Sequence, residues 1–122
     1  MKIPIIIYND KFLDRMSILM NVGGTTLFPF IILREHYKSQ EILKNRITLN
    51  HEKIHIEQQK ELLVVFFYLF YFLEYFIKLF KYGQDAYYNL SFERESYVNG
   101  SNLEYLKTRK RYSFLKYIFN EK

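Results

Sequence analysis

Hydrophobic positions fall into two unlike patterns along the chain. Up to about residue 33 they come in short, β-branched runs, and from about residue 48 in a long array with helical spacing. Ile3-Pro4-Ile5-Ile6-Ile7-Tyr8 reads as a strand closed by Asn9-Asp10-Lys11. Pro4, which has no N–H for a ladder, suits an edge or a strand start. Met16 to Met20 is a second apolar stretch, and Asn21-Val22-Gly23-Gly24 is a turn signal. Thr25 to Leu33 is a third strand-like run. Pro29 interrupts it, which places that point on an edge or at a bulge.

Residues 34–45 are polar and read as a loop or a short helical turn. Thr48 then fits an N-cap. No Pro or Gly follows until Gly83, so the pattern predicts one helix from Thr48 to Phe80 or Tyr82. Gly83-Gln84-Asp85 is a break. Ser91 can cap a short helix through Tyr97, ended by Asn99-Gly100. Ser101-Asn102-Leu103-Glu104 has the S-x-x-E form that opens a last helix. Strands first and helices after argue for an α+β fold: a small N-terminal antiparallel or mixed sheet followed by three helices. No linker or repeat divides the 122 residues, which suit one domain over 1–122.

Within the long helix, twelve residues (LLVVFFYLFYFL, Leu62 to Leu73) carry no charge before Glu74 and Lys78 interrupt. Tyr68, Tyr71, Tyr75, Lys78 and Tyr82 recur at three- and four-residue steps and share one side. Extended backwards, that side reaches Glu57 and Glu61. The other side is Leu, Val and Phe. A run of this length suits a buried core helix with its tyrosine side partly wet. In so small a domain the apolar side is also short of partners. Residues 62–80, from Leu62 to Phe80, are therefore a candidate contact for a membrane surface or for a second copy in a homodimer.

Composition narrows the chemistry. Apolar residues make up 49% of the chain and aromatic ones 20%, enough for a packed core, so global disorder is excluded. There is no cysteine, so any metal must be held by His, Asp or Glu. The histidines are His36, His51 and His55. The net charge of +5 permits anionic partners without demanding them. Its C-terminal excess, Lys107, Arg109, Lys110, Arg111 and Lys116, reads as the solvated face of the last helix. Nothing resembles a nucleic-acid recognition pattern, and no nucleic acid is expected as partner. The N-terminal apolar run is too short for a secretory leader, so the expected location is cytoplasmic, with membrane association resting on the apolar helix.

Residues 51–55 read His-Glu-Lys-Ile-His, an H-E-x-x-H pattern on a predicted helix. Histidines four apart lie on one face, about 6 Å apart along the axis, and can converge on one cation. Neutral imidazole suits Zn2+, two of whose four positions are then filled. Glu52 projects about 100° away and is poorly placed to ligate. It can reach a water bound to the metal and take its proton as that water attacks a carbonyl. A catalytic zinc normally takes a third protein ligand. His36 sits in a polar segment, where a surface role is ordinary. Glu93 and Glu95 lie on a later helix and point about 200° apart, so only one can face the metal, leaving the other as a solvated or paired charge.

The stretch from Thr48 to Gln59, with Phe92-Glu93-Arg94-Glu95-Ser96-Tyr97, resembles the zincin metallopeptidases of the gluzincin group. More narrowly, it looks like small, largely uncharacterised bacterial zincin-like proteins with an H-E-x-x-H-x-x-Q helix and a later F-E-x-E-A-Y segment. The resemblance implies Glu93 as third ligand, with a small residue, Ser96, three positions on. Ser96 stands where alanine is usual. It also implies a zinc-dependent peptide or amide hydrolase with Glu52 as general base. Residues 25–33 would be an edge strand beside the active-site helix, taking an extended peptide or protein substrate by strand addition. No second histidine stands ready for the oxyanion, for which Tyr97, Tyr87, Tyr88 and Arg109 are candidates. The chain lacks the second domain of larger peptidases, which points to a narrow substrate or to a partner that completes the cleft. The alternative is a non-catalytic zincin-like protein that binds zinc and acts as a membrane-associated or protein-interaction module.

Overall fold

A computed structural model describes residues 4–16, 24–39 and 42–118. The fold is α+β, and its sheet has three strands. Strand β1 (Ile5–Tyr8) runs parallel to β3 (Phe30–Leu33), and β2 (Gly24–Leu27) runs antiparallel to β3, giving the order β1-β3-β2. The apolar run at residues 25–33 is thus two strands, not one. Phe28-Pro29 forms the turn between them, where proline's missing N–H costs no ladder bond. Its first half is the edge strand and its second half is the centre of the sheet.

Asn9 does not simply end β1. Its side chain accepts the Phe12 N–H at 3.0 Å and caps helix α1 (Asp10–Met16), which the hydrophobic pattern did not announce. The expected strand from Met16 to Met20 begins at the last residue of α1, and residues 17–20 lie outside the described residues.

Helix α2 (Leu43–Glu61) starts five residues before Thr48. The Asn45 amide fastens this start to the carbonyls of His36 and Ser39. Thr48 lies inside the helix and donates to the Lys44 carbonyl at 3.1 Å, so it caps nothing. The helix stops at Glu61. Leu63 and Val64 take positive φ, 56° and 61°, and the chain turns by 111° into α3 (Val65–Tyr82). Two bulky residues in that region cost about 1–3 kcal/mol each. Contacts on both sides hold the break. Arg109 and the Tyr112 N–H grip Glu61, and Phe67 packs with Phe92 and Phe114.

Helix α4 (Ser91–Asn99) is opened by a carboxylate from α3 instead of by Ser91 itself. Glu74 accepts both the Ser91 N–H (2.9 Å) and its hydroxyl (2.7 Å), a favourable place for negative charge. Lys78 stands 2.8 Å from the same carboxylate. The S-x-x-E pattern at Ser101 to Glu104 leads only to one turn, α5 (Tyr105–Thr108), and a 3-10 turn at Ser113–Tyr117 follows. Among the described residues there are five α-helices, where three were expected.

Two apolar clusters flank α2. Ile31 and Leu33 of the sheet pack on Ile56, and Phe67, Phe92 and Phe114 gather on the other side. Helix α3 reverses the expected arrangement. Its tyrosine side faces the protein, Phe67 is its one buried residue among those described, and its Leu, Val and Phe side is exposed. It is not a central core helix.

Candidate metal centre

Helix α2 buries many polar side chains: Asn50, Glu52, His55, Gln58 and Gln59. Buried polar groups are costly unless bonded. Each of these is bonded, and the bonds draw the neighbouring elements onto the helix. Asn50 donates to the carbonyls of Gly100 (2.9 Å) and Asn102 (3.0 Å), fixing the end of α4. The Ser96 hydroxyl donates to the His51 carbonyl at 3.2 Å. A Cβ on Gly100 would stand 2.8 Å from the Ser96 carbonyl and 3.6 Å from the His51 Cβ. Small residues at 96 and 100 therefore let α4 lie close along α2.

That approach brings Glu93 to the histidines. Its Oε1 is 3.4 Å from His51 Nε2 and 3.2 Å from His55 Nε2. Ligand atoms of His51, Glu52 and His55 all lie within 4.8 Å of one another, with Glu52 Oε2 3.7 Å from His51 Nε2. Atoms bound about 2.0–2.2 Å from a tetrahedral zinc stand about 3.3 Å from one another, and the distances from Glu93 to His51 and to His55 match that spacing. The donor chemistry fits as well, with two imidazoles and a carboxylate in a cysteine-free chain.

Neighbouring groups orient these atoms. His55 Nδ1 lies 2.8 Å from Gln58 Oε1, so as a donor there it leaves Nε2 to face Glu93. Gln58 in turn donates to the Phe92 carbonyl and to Glu95. The Tyr71 hydroxyl donates to Glu93 Oε2 at 2.8 Å, leaving Oε1 toward the histidines. Thr26 of β2 stands 2.9 Å from Glu52 Oε1 and 3.1 Å from the Glu52 carbonyl. A Cβ on Gly24 would press on the end of the Leu33 side chain at 2.6 Å and would stand 3.8 Å from the Glu52 carboxyl carbon, which shows how closely β2 lies against α2.

Electrostatics follow from burial and close pairing. Burial disfavours charge on His55, but Glu93 and Glu52 outweigh it and raise its pKa from 6.5 to about 9. Burial would push the Glu93 carboxyl up, but His55 and His51 hold it well below the usual carboxylate range. Burial, reinforced by Glu93, keeps the phenols of Tyr71, Tyr87 and Tyr97 neutral, with Tyr97 raised to about 12.

Glu95 faces away from the cluster. It is fully buried and takes the Arg109 guanidinium (2.5 and 3.1 Å) and the Tyr105 hydroxyl (2.6 Å). Arg109 also binds Glu61, so it is neither a solvated charge nor placed at the cluster. His36 is exposed against Tyr37, outside the cluster. Tyr97 packs its ring edge-on to His51 at 4.6 Å, and Tyr88 packs on Tyr97. Tyr87 lines the cleft.

That cleft, about 510 Å3, has Glu52, His55 and Glu93 along it, β2 on one side and Tyr68, Tyr71, Phe72 and Tyr75 of α3 on the other. The edge of β2 is not bare. Gln59 donates to the Thr26 carbonyl (2.9 Å) and accepts the Phe28 N–H (2.7 Å), and the Tyr68 hydroxyl also donates to Thr26 (3.1 Å). A peptide added to this strand meets Gln59 and Tyr68 where plain strand addition would meet backbone.

Sequence reasoning did not assign Gln58, Tyr71, Thr26 or Gln59. Gln58 carries a signal, lying three residues after His55 on the same helix face. Tyr71 carries none, since it reaches Glu93 only because the chain turns at residues 62–64. No family model, curated protein or solved structure matches the chain.

Proposed function

We propose that the chain is a zinc-dependent peptide or amide hydrolase of the gluzincin kind, with His51, His55 and Glu93 as the metal ligands and Glu52 as general base. The approach of Glu93 Oε1 to His51 Nε2 (3.4 Å) and to His55 Nε2 (3.2 Å) carries this reading. Zinc held there would supply Lewis acidity and would lower the pKa of a water it bound. Glu52, tethered through Oε1 to Thr26, accepts the proton of the attacking water and returns it to the leaving nitrogen. Tyr87, a neutral phenol lining the cleft, is the donor best placed for the developing oxyanion. The aromatic wall from α3 and the partly occupied edge of β2 suit a narrow set of extended peptides.

The test is Glu52→Gln. It is expected to bind zinc like the wild type while peptide-library hydrolysis falls by about 10²–10⁴-fold. Undiminished hydrolysis in that variant contradicts the mechanism. The occupied β2 edge favours a second reading, a non-catalytic zinc-binding protein on the zincin scaffold. It expects stoichiometric zinc and no hydrolysis by the wild type. A structural zinc has no need of a buried carboxylate at Glu52, which weighs against that reading.

A further inference from the structure

We propose that the outward face of α3 docks on the surface of an anionic lipid bilayer. The helix is divided lengthwise. Its inner half is bonded into the domain, with Tyr68 on Thr26, Tyr71 on Glu93, Glu74 on Ser91, and Lys78 on the carbonyls of Asn89 and Ile118. Its outer half carries Val65, Leu69, Phe72, Leu73, Phe76 and Phe80, all exposed, Phe80 to 81%. Single exposed apolar residues are ordinary, but a continuous stripe over an 18-residue helix marks a contact surface.

Charge selects the occupant. The only acid on α3 is Glu74, which lines the neighbouring groove but is bonded to Ser91 and paired with Lys78. Beside the outer face lies an apolar groove of about 830 Å3 between α3 and the 3-10 turn Ser113–Tyr117, lined by Leu73, Ile77, Lys81, Tyr112 and Leu115 among others. Lys81 lies on this groove, and Lys110, Arg111 and Lys116 lie on the segment that forms its far wall. All four are exposed. Phenylalanines flanked by lysine and arginine are the composition of an interfacial anchor for acidic headgroups. A symmetric contact with a second copy would bring these same cations toward one another. Crossing the bilayer does not suit α3 either. Among the described residues no single helix is long and apolar enough, and the inner half is committed to the domain. Phe72 belongs to both the outer face and the wall of the cleft, so a docked α3 holds the cleft beside the lipid surface. The inference rests on α3 and its neighbours and does not depend on the metal reading.

The test is co-sedimentation of the full chain with vesicles of phosphatidylcholine alone and of phosphatidylcholine mixed with phosphatidylglycerol. Binding to the anionic vesicles is expected to be about tenfold or more tighter, and to weaken as salt is raised. Phe76→Glu with Phe80→Glu should abolish it without changing circular dichroism, since both side chains are exposed. The chain has no tryptophan, so Phe76→Trp gives a single reporter whose emission should shift to the blue on anionic vesicles. Failure to bind either vesicle, equal binding to both, an unshifted reporter, or a dimer in solution that ignores vesicles overturns the proposal.

Discussion

His55 has a partner at each ring nitrogen, Gln58 at Nδ1 and Glu93 at Nε2. Without metal, the Glu93 side calls for a proton. The Glu93 pairing raises the His55 pKa to about 9, so a metal held at Nε2 would have to displace a proton. Apparent zinc affinity is expected to rise about tenfold per pH unit from near pH 6 and to level off above about pH 9. Calorimetry near pH 7 in two buffers of different ionisation enthalpy should find about one proton released per zinc bound, and no release would contradict the pairing. In the metal-free chain the signs run both ways. The raised His55 contributes stability fully below 6.5 that is lost as pH rises through about 9. The depressed Glu93 contributes stability above 4.5 that is lost on acidification. Tyr71→Phe keeps the ring against Phe67 and Phe92 but removes the bond to Glu93 Oε2. Zinc affinity is expected to fall by about 10–100-fold with the fold unchanged. His51, Glu52 and His55 were legible because their spacing is set within one helix. The choice of Glu93 over Glu95 came from resemblance, since angle alone said only that the two diverge. The partner that occupies Glu95, Arg109, lies fourteen residues on in a segment that reads as solvated surface.

The turn at residues 62–64 was illegible for a different reason. Leu63 and Val64 adopt positive φ with no glycine or proline to mark them, and the pattern of apolar residues runs on through the break. The cause is tertiary. Glu61, the last residue of α2, accepts Arg109 Nη1 (2.9 Å), Arg109 Nη2 (3.0 Å) and the Tyr112 N–H (2.9 Å). Arg109 thus bridges the end of α2 to Glu95 of α4, with its side chain 4% exposed. Arg109→Ala leaves the buried Glu95 and the partly buried Glu61 without their cation and is expected to cost about 3–5 kcal/mol in denaturant unfolding. Arg109→Lys should recover little of this, because a point charge cannot reproduce paired bonds to two carboxylates. A loss within about 0.5 kcal/mol would mean that the cluster does not hold the break. The sheet was expected at the N-terminus as antiparallel or mixed and is mixed, and the run expected as one edge strand supplies the edge only in its first half. One apolar run can serve two strands when a proline sits in a turn, and hydrophobicity alone does not distinguish that from a bulge.

In the whole molecule, the cluster is assembled from distant parts of the chain. Thr26 comes from β2, His51, Glu52, His55 and Gln58 from α2, Tyr71 from α3 and Glu93 from α4. None of these elements forms the site alone, so metal binding is coupled to the complete fold. The α+β class and the placing of the sheet ahead of the long helices were legible because they follow from where each hydrophobic period starts, while α1, set between β1 and β2, was not. Which side of α3 faces inward was not. A tyrosine stripe serves as well for a wet face as for one bonded inward, and only the hydroxyl bonds of Tyr68 and Tyr71 decide between them. The most direct test is the zinc content of wild type and His51→Ala, purified without metal-affinity chromatography and offered zinc. The account predicts about one zinc per chain in the wild type and its loss in the variant. No zinc in the wild type, or equal zinc in both proteins, would contradict it.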